Sequence, residues 1–386
     1  MMQPEKTYDA AIIGAGPAGS TLAYCLARSG VGSVLIDKEK FPRGKVCAGG
    51  LPARTLEILP FDVAPVVEKE IFEVAFTRKL KAGFSRAYHK PLIYTVNRER
   101  FDDFLVRKAK DAGVDFLESQ KVEDVRLEGS AWAVKTTRGT VRAALLVGAD
   151  GAAGIVAKSL SLEPSGFFHH GLQVEVPIRL LRETHCSLEK GIVLDWGSFE
   201  DSYGWIFPKR ETASIGVGGP LRMGKELKLY LYDLLRHYGV SPEDCRIAGH
   251  LIPHRVRPVP IATRRAALIG DAAGLVDFWT GEGIFYAVRS SLIAAEHIKG
   301  FLNGQFSSLK GYEAAVDREI APEIKTSYQF SKIFNYLSSP ALRIIEKYDY
   351  AWDVFCRTVR GDRTFRELKK RFRPDVLLAR LLTRRL

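Results

Sequence analysis

The turn GAGPAG constrains this chain more than any other stretch: it follows the apolar run YDAAII at residues 8–13 and precedes the helical pattern STLAYCLARSG. A buried strand, a glycine turn, an amphipathic helix ending at Gly30 and a second apolar strand, VGSVLID, predict the opening βαβ unit of a doubly wound sheet. Each glycine has a separate task. Gly14 permits a tight turn, Gly16 lets the backbone approach a pyrophosphate, and Gly19 lets helix pack on strand, with Ala18 beside them in the same phosphate-facing turn. The helix N-terminus then presents free amides and the positive end of its dipole to the phosphates. Asp37, 23 positions after Gly14, ends the second strand where a carboxylate can accept from ribose hydroxyls. The motif does not by itself separate FAD from NAD.

Two later segments separate them. LLVGADGAAG, residues 145–154, ends an apolar strand with Asp150 and Gly151; AALIGDAAGLVDFWTGEGI, residues 266–284, ends another with Gly270 and Asp271. A nicotinamide dehydrogenase has no use for a Gly-Asp strand end about 250 residues beyond its glycine turn, whereas a flavin dinucleotide spans the sheet and returns to a second strand. Asp271 suits ribityl or pyrophosphate oxygens, and equally a helix N-cap. TGEGI opens a helix whose first amides, around Gly281, Gly283 and Ile284, face the flavin pyrimidine.

These signatures, in this order, resemble the p-hydroxybenzoate hydroxylase superfamily of flavoproteins. NRERFDDFLVRKAKDAGV, residues 97–114, fits its R-x-x-F-D-x-x-L pattern. The resemblance implies that Arg98 contacts FAD phosphate or ribose and that the backbone of Val122 lies against the adenine; a surface helix cap with a salt bridge is the other reading of Arg98. RGKVCAGG, residues 43–50, is similar to the K-x-C-x-G-G segment of the geranylgeranyl reductase branch. YGWIFPK, with Tyr203, Trp205, Phe207 and Pro208, resembles its Y-x-W-x-F-P box, and TGEGIFYAVRSS its T-G-E-G-I-x-Y-A pattern, so the matches run from about residue 8 to about residue 290.

That resemblance implies an FAD-dependent reductase. Lys45, Cys47, Ala48 and Gly50 would contact the cofactor, and Tyr203, Trp205, Phe207 and Trp279 the substrate. Cys47 would sit beside the flavin, where a thiol orients an alkene, assists proton delivery or shapes the slot; a small buried hydrophobe is the alternative. Strand alternation sends Tyr203, Trp205 and Phe207 to one face, where they line an isoprenoid slot or pack a domain core. In the implied reaction an external donor of NADPH or ferredoxin type, with an electron-transfer partner protein in the latter case, reduces FAD. Hydride and a proton then saturate a carbon-carbon double bond of a geranylgeranyl-type chain carried on a lipid, diphosphate or quinone. The sequence identifies no proton donor. The alternative is an FAD monooxygenase of the same fold acting on an aromatic or terpenoid compound, and a non-catalytic flavin-binding module is the reading from another class.

The expected architecture is α/β. A discontinuous Rossmann-like FAD-binding domain takes residues 1–65, 96–165 and 254–300, an inserted α+β substrate domain 66–95 and 166–253, and a helical C-terminal region with a basic tail 301–386. Five cysteines without C-x-x-C spacing suggest free thiols. No signal peptide or apolar run of membrane-spanning length is read, so a cytoplasmic protein is expected. Residues 357–386 hold eleven Lys or Arg against three acids, 11 − 3 = +8 of the net +12. No nucleic-acid-binding motif accompanies this charge.

One helical stripe, Ala341, Ile344, Ile345, Tyr348, Ala351, Trp352, Phe355, Cys356 and Val359, is expected to dock on the body. Phe365, Leu368 and Phe372 among Arg366, Lys369, Lys370 and Arg373, then Leu377, Leu378, Leu381 and Leu382 among Arg380, Arg384 and Arg385, form basic amphipathic segments. They suit contact with the inner membrane surface as well as a solvated tail. His169 and His170 lack a third ligand at metal spacing and are read as solvated or core-packed, so no metal is expected; Glu282 is read as a helix-start acid, and His250 and His254 receive no role.

Overall fold

The structure, a computed structural model, describes residues 7–163, 167–182, 184–199 and 201–371. Thr7–Ile13 pairs in parallel with Ser33–Ile36 on one side and Gly139–Gly148 on the other, and Asp115–Leu117 extends the sheet beyond Ser33–Ile36. On the far edge of Gly139–Gly148, the hairpin strands Ala131–Thr136 and Val122–Glu128 continue antiparallel, while Ala266–Leu268 pairs in parallel with its second half. Helices Pro17–Arg28 and Ile284–Leu302 cover the central strands, which is why Ala10–Ile13 and Leu145–Val147 are apolar without alternation. This is the predicted doubly wound sheet.

A second sheet of seven strands runs in the order Ala248–Pro253, Phe168–Pro177, Thr212–Pro220, Tyr203–Pro208, Gly191–Trp196, Glu73–Arg78, Lys81–Ala87. Here side chains do alternate. Ile206, Ile215 and Val217 pack beneath helix Gly224–His237, which inserts Leu227, Tyr230, Leu231, Leu234 and Leu235. A small sheet of Gly50–Pro52, Ile93–Val96 and Val67–Ile71 joins the two. The fold is α/β, with a discontinuous Rossmann-like part, an inserted α+β part and a helical C-terminal extension.

The C-terminal stripe differs from expectation. It is two helices, Ser338–Lys347 and Asp349–Arg360, broken at Tyr348, whose backbone is extended at φ −113° and ψ 121°. Trp352 and Cys356 are buried as expected, but Ile344 and Tyr348 are about half exposed. Trp352 Nε1 donates to the carbonyl of Ala87 at 2.8 Å, Tyr88 to Asp353 at 2.9 Å, and Arg86 to the carbonyl of Ile345 at 2.9 Å. Arg86 also pairs with Asp349. The first of the basic segments is likewise committed: in helix Phe365–Arg371, Phe365 and Leu368 are buried against the body, leaving Arg366, Lys369 and Lys370 exposed. Phe372, Arg373, Leu377, Leu378, Arg380, Leu381, Leu382, Arg384 and Arg385 lie outside the described residues.

Candidate functional site

The glycine turn does what its spacing predicts. Gly14 has φ +101°, and a Cβ there would stand 2.4 Å from the carbonyl oxygen of Ala149; a Cβ on Gly19 would stand 1.8 Å from the carbonyl oxygen of Gly14. A Cβ on Gly16 would meet only the tip of Arg43, at 3.8 Å. The turn is thus closed on its strand side and open on its helix side, and the helix it begins has no side-chain cap over its first amides. Asp37 braces the turn, Oδ2 accepting from the amide of Ala15 at 2.7 Å and Oδ1 from that of Glu39 at 2.9 Å. The carbonyl of Asp37 accepts from the amide of Gln120 at 2.8 Å, which brings the segment leading to Val122 alongside. Asp37 and Val122 stand outside the cavity that Gly16 faces.

That cavity, about 820 Å³, runs from Gly16, Pro17 and Ala18 past Lys45, Cys47, Ala48, Gly50, Arg98 and Asp271 to Gly281, Gly283 and Ile284, then on between the second sheet and the C-terminal helices. Helix Ile284–Leu302 also lacks a side-chain cap, so two helices open uncapped amides toward one space. Asp277 shapes the loop before it: its Oδ1 accepts from the amides of Trp279 at 3.0 Å and Thr280 at 2.8 Å and from the Thr280 hydroxyl at 2.8 Å. Glu282 is not a helix-start acid. It precedes the first helical residue, Ile284, and pairs with Arg54, while burial pushes its carboxyl above the usual range despite that partner.

Arg98 is a buried member of an ion cluster and not a surface cap. Its Nε and Nη2 each donate to Asp102 at 2.8 Å, and Arg43 Nη2 approaches the same carboxylate at 3.1 Å. Asp102 is fully buried, and Arg98 is 8% exposed. Burial disfavours the Arg98 cation, but Asp102 and the adjacent Cys47 more than compensate and raise its pKa. The amide of Gly49 donates to Cys47 Sγ at 3.4 Å, and Gln173 Nε2 to the Cys47 carbonyl at 3.3 Å.

Lys45 belongs to an arrangement the sequence did not disclose. Its Nζ lies 3.0 Å from each ring nitrogen of His250, whose Nε2 lies 3.3 Å from Asp271 Oδ2. A tautomer protonated on Nε2 satisfies both partners, with Nδ1 accepting from Lys45. Burial lowers the Lys45 pKa to about 8, Asp271 opposing the shift. Burial also resists ionisation of Asp271, but His250 and Lys45 outweigh it and hold the carboxyl below its ordinary range.

Tyr203, Trp205 and Phe207 all line the cavity, with Gly204 and Ile206 turned to the opposite face. Trp205 lies on a glycine floor: a Cβ on Gly216 would stand 2.3 Å from its indole, and one on Gly218 3.4 Å away. Alternate glycines in SIGVGGP were the legible sign of that floor. Phe207 lies against Gly50, where a Cβ would come within 2.6 Å of the ring. Tyr203 donates to the carbonyl of Thr280 at 2.7 Å, tying the aromatic strand to the TGEG loop. Trp279 lines the cavity beside Phe334, ring centroids 5.0 Å apart.

The far walls come from Val74, Phe76, Ile192 and Trp196 of the sheet and from Ile345, Phe355, Val359 and Leu368 of the helices, so the stripe read as a docking surface is also a roof. His169 turns into the cavity, its ring 4.6 Å from that of His254, while His170 points toward Gly249. Burial lowers His169 to about 3 and His254 to about 4, so both are neutral. His254 Nδ1 pairs with the carbonyl of Val276 at 3.1 Å, and its Nε2 has no hydrogen-bond partner among the described residues.

The residues fit FAD: an open glycine, two uncapped helix N-termini, the Asp271 carboxylate and the buried cations Lys45 and Arg98 surround one space, and Asp37 braces the glycine turn from outside it. Residues 7–186 match the family described as FAD binding domain. A geranylgeranyl diphosphate reductase of Rhodobacter capsulatus is 31% identical over 81% of this chain and 80% of its own length. An uncharacterized protein of Methanosarcina barkeri is 34% identical over 85% and 84%. A geranylgeranyl bacteriochlorophyll reductase-like protein of Thermoplasma acidophilum has the same fold, with TM-score 0.78, 20% identity and coverage of 95% of this chain and 99% of that one. With its glycine turn, K-x-C-x-G-G segment, aromatic box and TGEG loop around one cavity, the chain is an FAD-dependent oxidoreductase and belongs to the geranylgeranyl reductase family.

Proposed function

We propose that this enzyme saturates carbon-carbon double bonds of a geranylgeranyl-type chain carried on a lipid, diphosphate or quinone, and so serves lipid metabolism. The single observation that carries the reading is the continuity of the cavity from Gly16 and Gly283 to Phe355 and Val359. A prenyl chain of C20 length needs apolar walls and few polar contacts, and burial contributes about 25 cal/mol per Å².

In this reading the doubly wound part holds the cofactor. The Gly16–Gly19 amides take the pyrophosphate and Asp37 the ribose, while Arg98 stands over the phosphate side with its outer edge fixed by Asp102. Val122 borders the adenine. Lys45, Cys47, Ala48 and Gly50 form one wall of the ring site and Gly281, Gly283 and Ile284 the other, with Asp271 at the ribityl chain. Bound FAD, once reduced by a donor of NADPH or ferredoxin type, supplies the hydride.

The chain's own residues orient the alkene, exclude water and handle the proton. Tyr203, Trp205, Phe207 and Trp279 fix the chain laterally, and Cys47 shapes the point where it meets the cofactor. Lys45, held by His250, is the cleft cation best suited to deliver a proton from Nζ: it is protonated below about 8 and loses that proton as pH rises through it. The basic tail beyond Arg371 supports peripheral contact with the inner membrane surface.

Dithionite-reduced holoenzyme under argon, given geranylgeranyl diphosphate and separately a prenylated quinone, is expected to yield products heavier by two hydrogens per bond in mass spectra. A product gaining one oxygen atom, formed only in air, replaces the reductase with a monooxygenase.

A further inference from the structure

Among the described residues eleven large hydrophobic side chains are exposed, and six of them fall between residues 333 and 350: Ile333, Tyr336, Leu337, Ile344, Tyr348 and Tyr350. Tyr336 is 89% exposed and Tyr350 63%. Such clustering is not the scatter of single apolar residues that a soluble surface carries. Ile333, Leu337, Ile344 and Tyr350 also line the cavity, so the exposed cluster is the rim of its mouth. The helices bearing it are fastened to the body by their other faces, through Trp352, Arg86 and Tyr88.

The surroundings indicate what covers the rim. Lys325, Arg343 and Lys347 are exposed on the first two of the three helices that carry the cluster, with Lys332 paired with Asp201, against exposed Glu346 and an Asp349 paired with Arg86. Helix Phe365–Arg371 adds exposed Arg366, Lys369 and Lys370 against one exposed acid, Glu367, and Lys369 Nζ donates to Gln329 at 2.8 Å, holding this helix beside the rim helix Ala321–Tyr336. Lys347 Nζ lies 5.6 Å from the Tyr348 ring centroid. Tyrosines at a mouth bordered by bases match the headgroup level of an anionic bilayer, where amphipathic rings and long cations settle together. A protein seated on the rim would seal the cavity behind it; a bilayer leaves it open to the acyl region.

We propose that the Ile333–Tyr350 surface docks on an anionic bilayer and that a membrane-held isoprenoid enters the cavity through this mouth without crossing water. The proposal rests on the prenyl-reductase reading for its cargo, but the docking can be measured without turnover. The test uses full-length holoenzyme and sedimenting vesicles of phosphatidylcholine, alone or with phosphatidylglycerol, and compares wild type with Y336E/Y348E, neither position lining the cavity. Wild type is expected on both vesicles, more on the anionic ones and less as salt rises. Y336E/Y348E is expected to lose about tenfold or more in partitioning, while keeping its flavin absorbance and its rate on detergent-dispersed substrate.

Equal sedimentation of the two proteins overturns the docking face. So does a chain ended after Arg371 that no longer binds phosphatidylcholine vesicles, because the tail alone would then carry attachment. A vesicle-free dimer dissolved by Y336E/Y348E overturns it in favour of a second copy. Brominated lipids quenching Y336W give a reading that needs no charge at the surface, and absence of quenching also overturns the docking face. Vesicle binding lost in Y336E/Y348E, with no prenyl reduction by either protein, upholds the docking face and refutes the prenyl reading instead.

Discussion

The two ends of the cavity are made of different material. At the cofactor end the fit is set largely by backbone: Gly14 and Gly19 are pressed so closely on Ala149 and on each other that no side chain fits, and the helices that follow Gly16 and Gly283 begin without a side-chain cap. At the aromatic end it is side chain: Trp205, Phe76, Trp196, Phe355 and Leu368 come from distant segments and meet only when the sheet and the C-terminal helices close. A backbone surface tolerates almost no substitution, whereas a side-chain surface can be reshaped one ring at a time. The first suits a ligand of one fixed shape, the second a ligand held by apolar contact.

The comparison can be broken most severely at Gly19. Gly19→Val places its Cβ 1.8 Å from the carbonyl oxygen of Gly14 and is expected to cost about 3 kcal/mol or more, giving a protein without the flavin absorption band. Asp102→Asn comes next. It leaves Arg98 and Arg43 without their buried counter-charge, and chemical denaturation should show a loss of about 3 kcal/mol, with FAD affinity falling alongside.

Gly216→Val acts at the aromatic end, where its Cβ would also come within 2.8 Å of the Leu172 carbonyl oxygen. Its Cβ would meet the Trp205 indole at 2.3 Å, so FAD should remain bound while kcat/KM for the prenyl compound falls about tenfold or more, a barrier increase of about 1.4 kcal/mol. A protein that loses flavin instead would show that the two ends are not independent.

At neutral pH the smallest effect comes from His254, whose contribution shows only as the solution is acidified. His254 is buried neutral at about 4, so below pH 6.5 the unfolded chain takes up a proton that the fold does not. Stability therefore falls as pH drops from 6.5 toward 4, by up to about 3 kcal/mol from this residue. Thermal melts of His254→Gln should flatten that slope and leave the melting temperature above pH 7 little changed.

The same contrast explains what could be read without coordinates. GAGPAG was legible because backbone geometry demands glycine at fixed spacing, and TGEG and the alternation in YGWIF because local periodicity fixes their faces. Arg98 was legible but its partner was not, although Asp102 stands four residues on in the same helix: a buried i, i+4 pair and an exposed one look alike in sequence. His250 carried no signal, since its tie to Lys45 spans 205 positions. The stripe from Ala341 to Val359 revealed an apolar face but not the break at Tyr348, where Arg86 and Tyr88 anchor the second helix to another strand.

The central claim is that one uninterrupted space brings an olefin to the cofactor. Holoenzyme reduced without oxygen and mixed with a geranylgeranyl compound, while the flavin absorbance is followed, tests it directly. The oxidised band is predicted to return at a rate that rises with prenyl concentration and saturates. A band that stays bleached at every concentration and recovers only on admitting air would contradict the account.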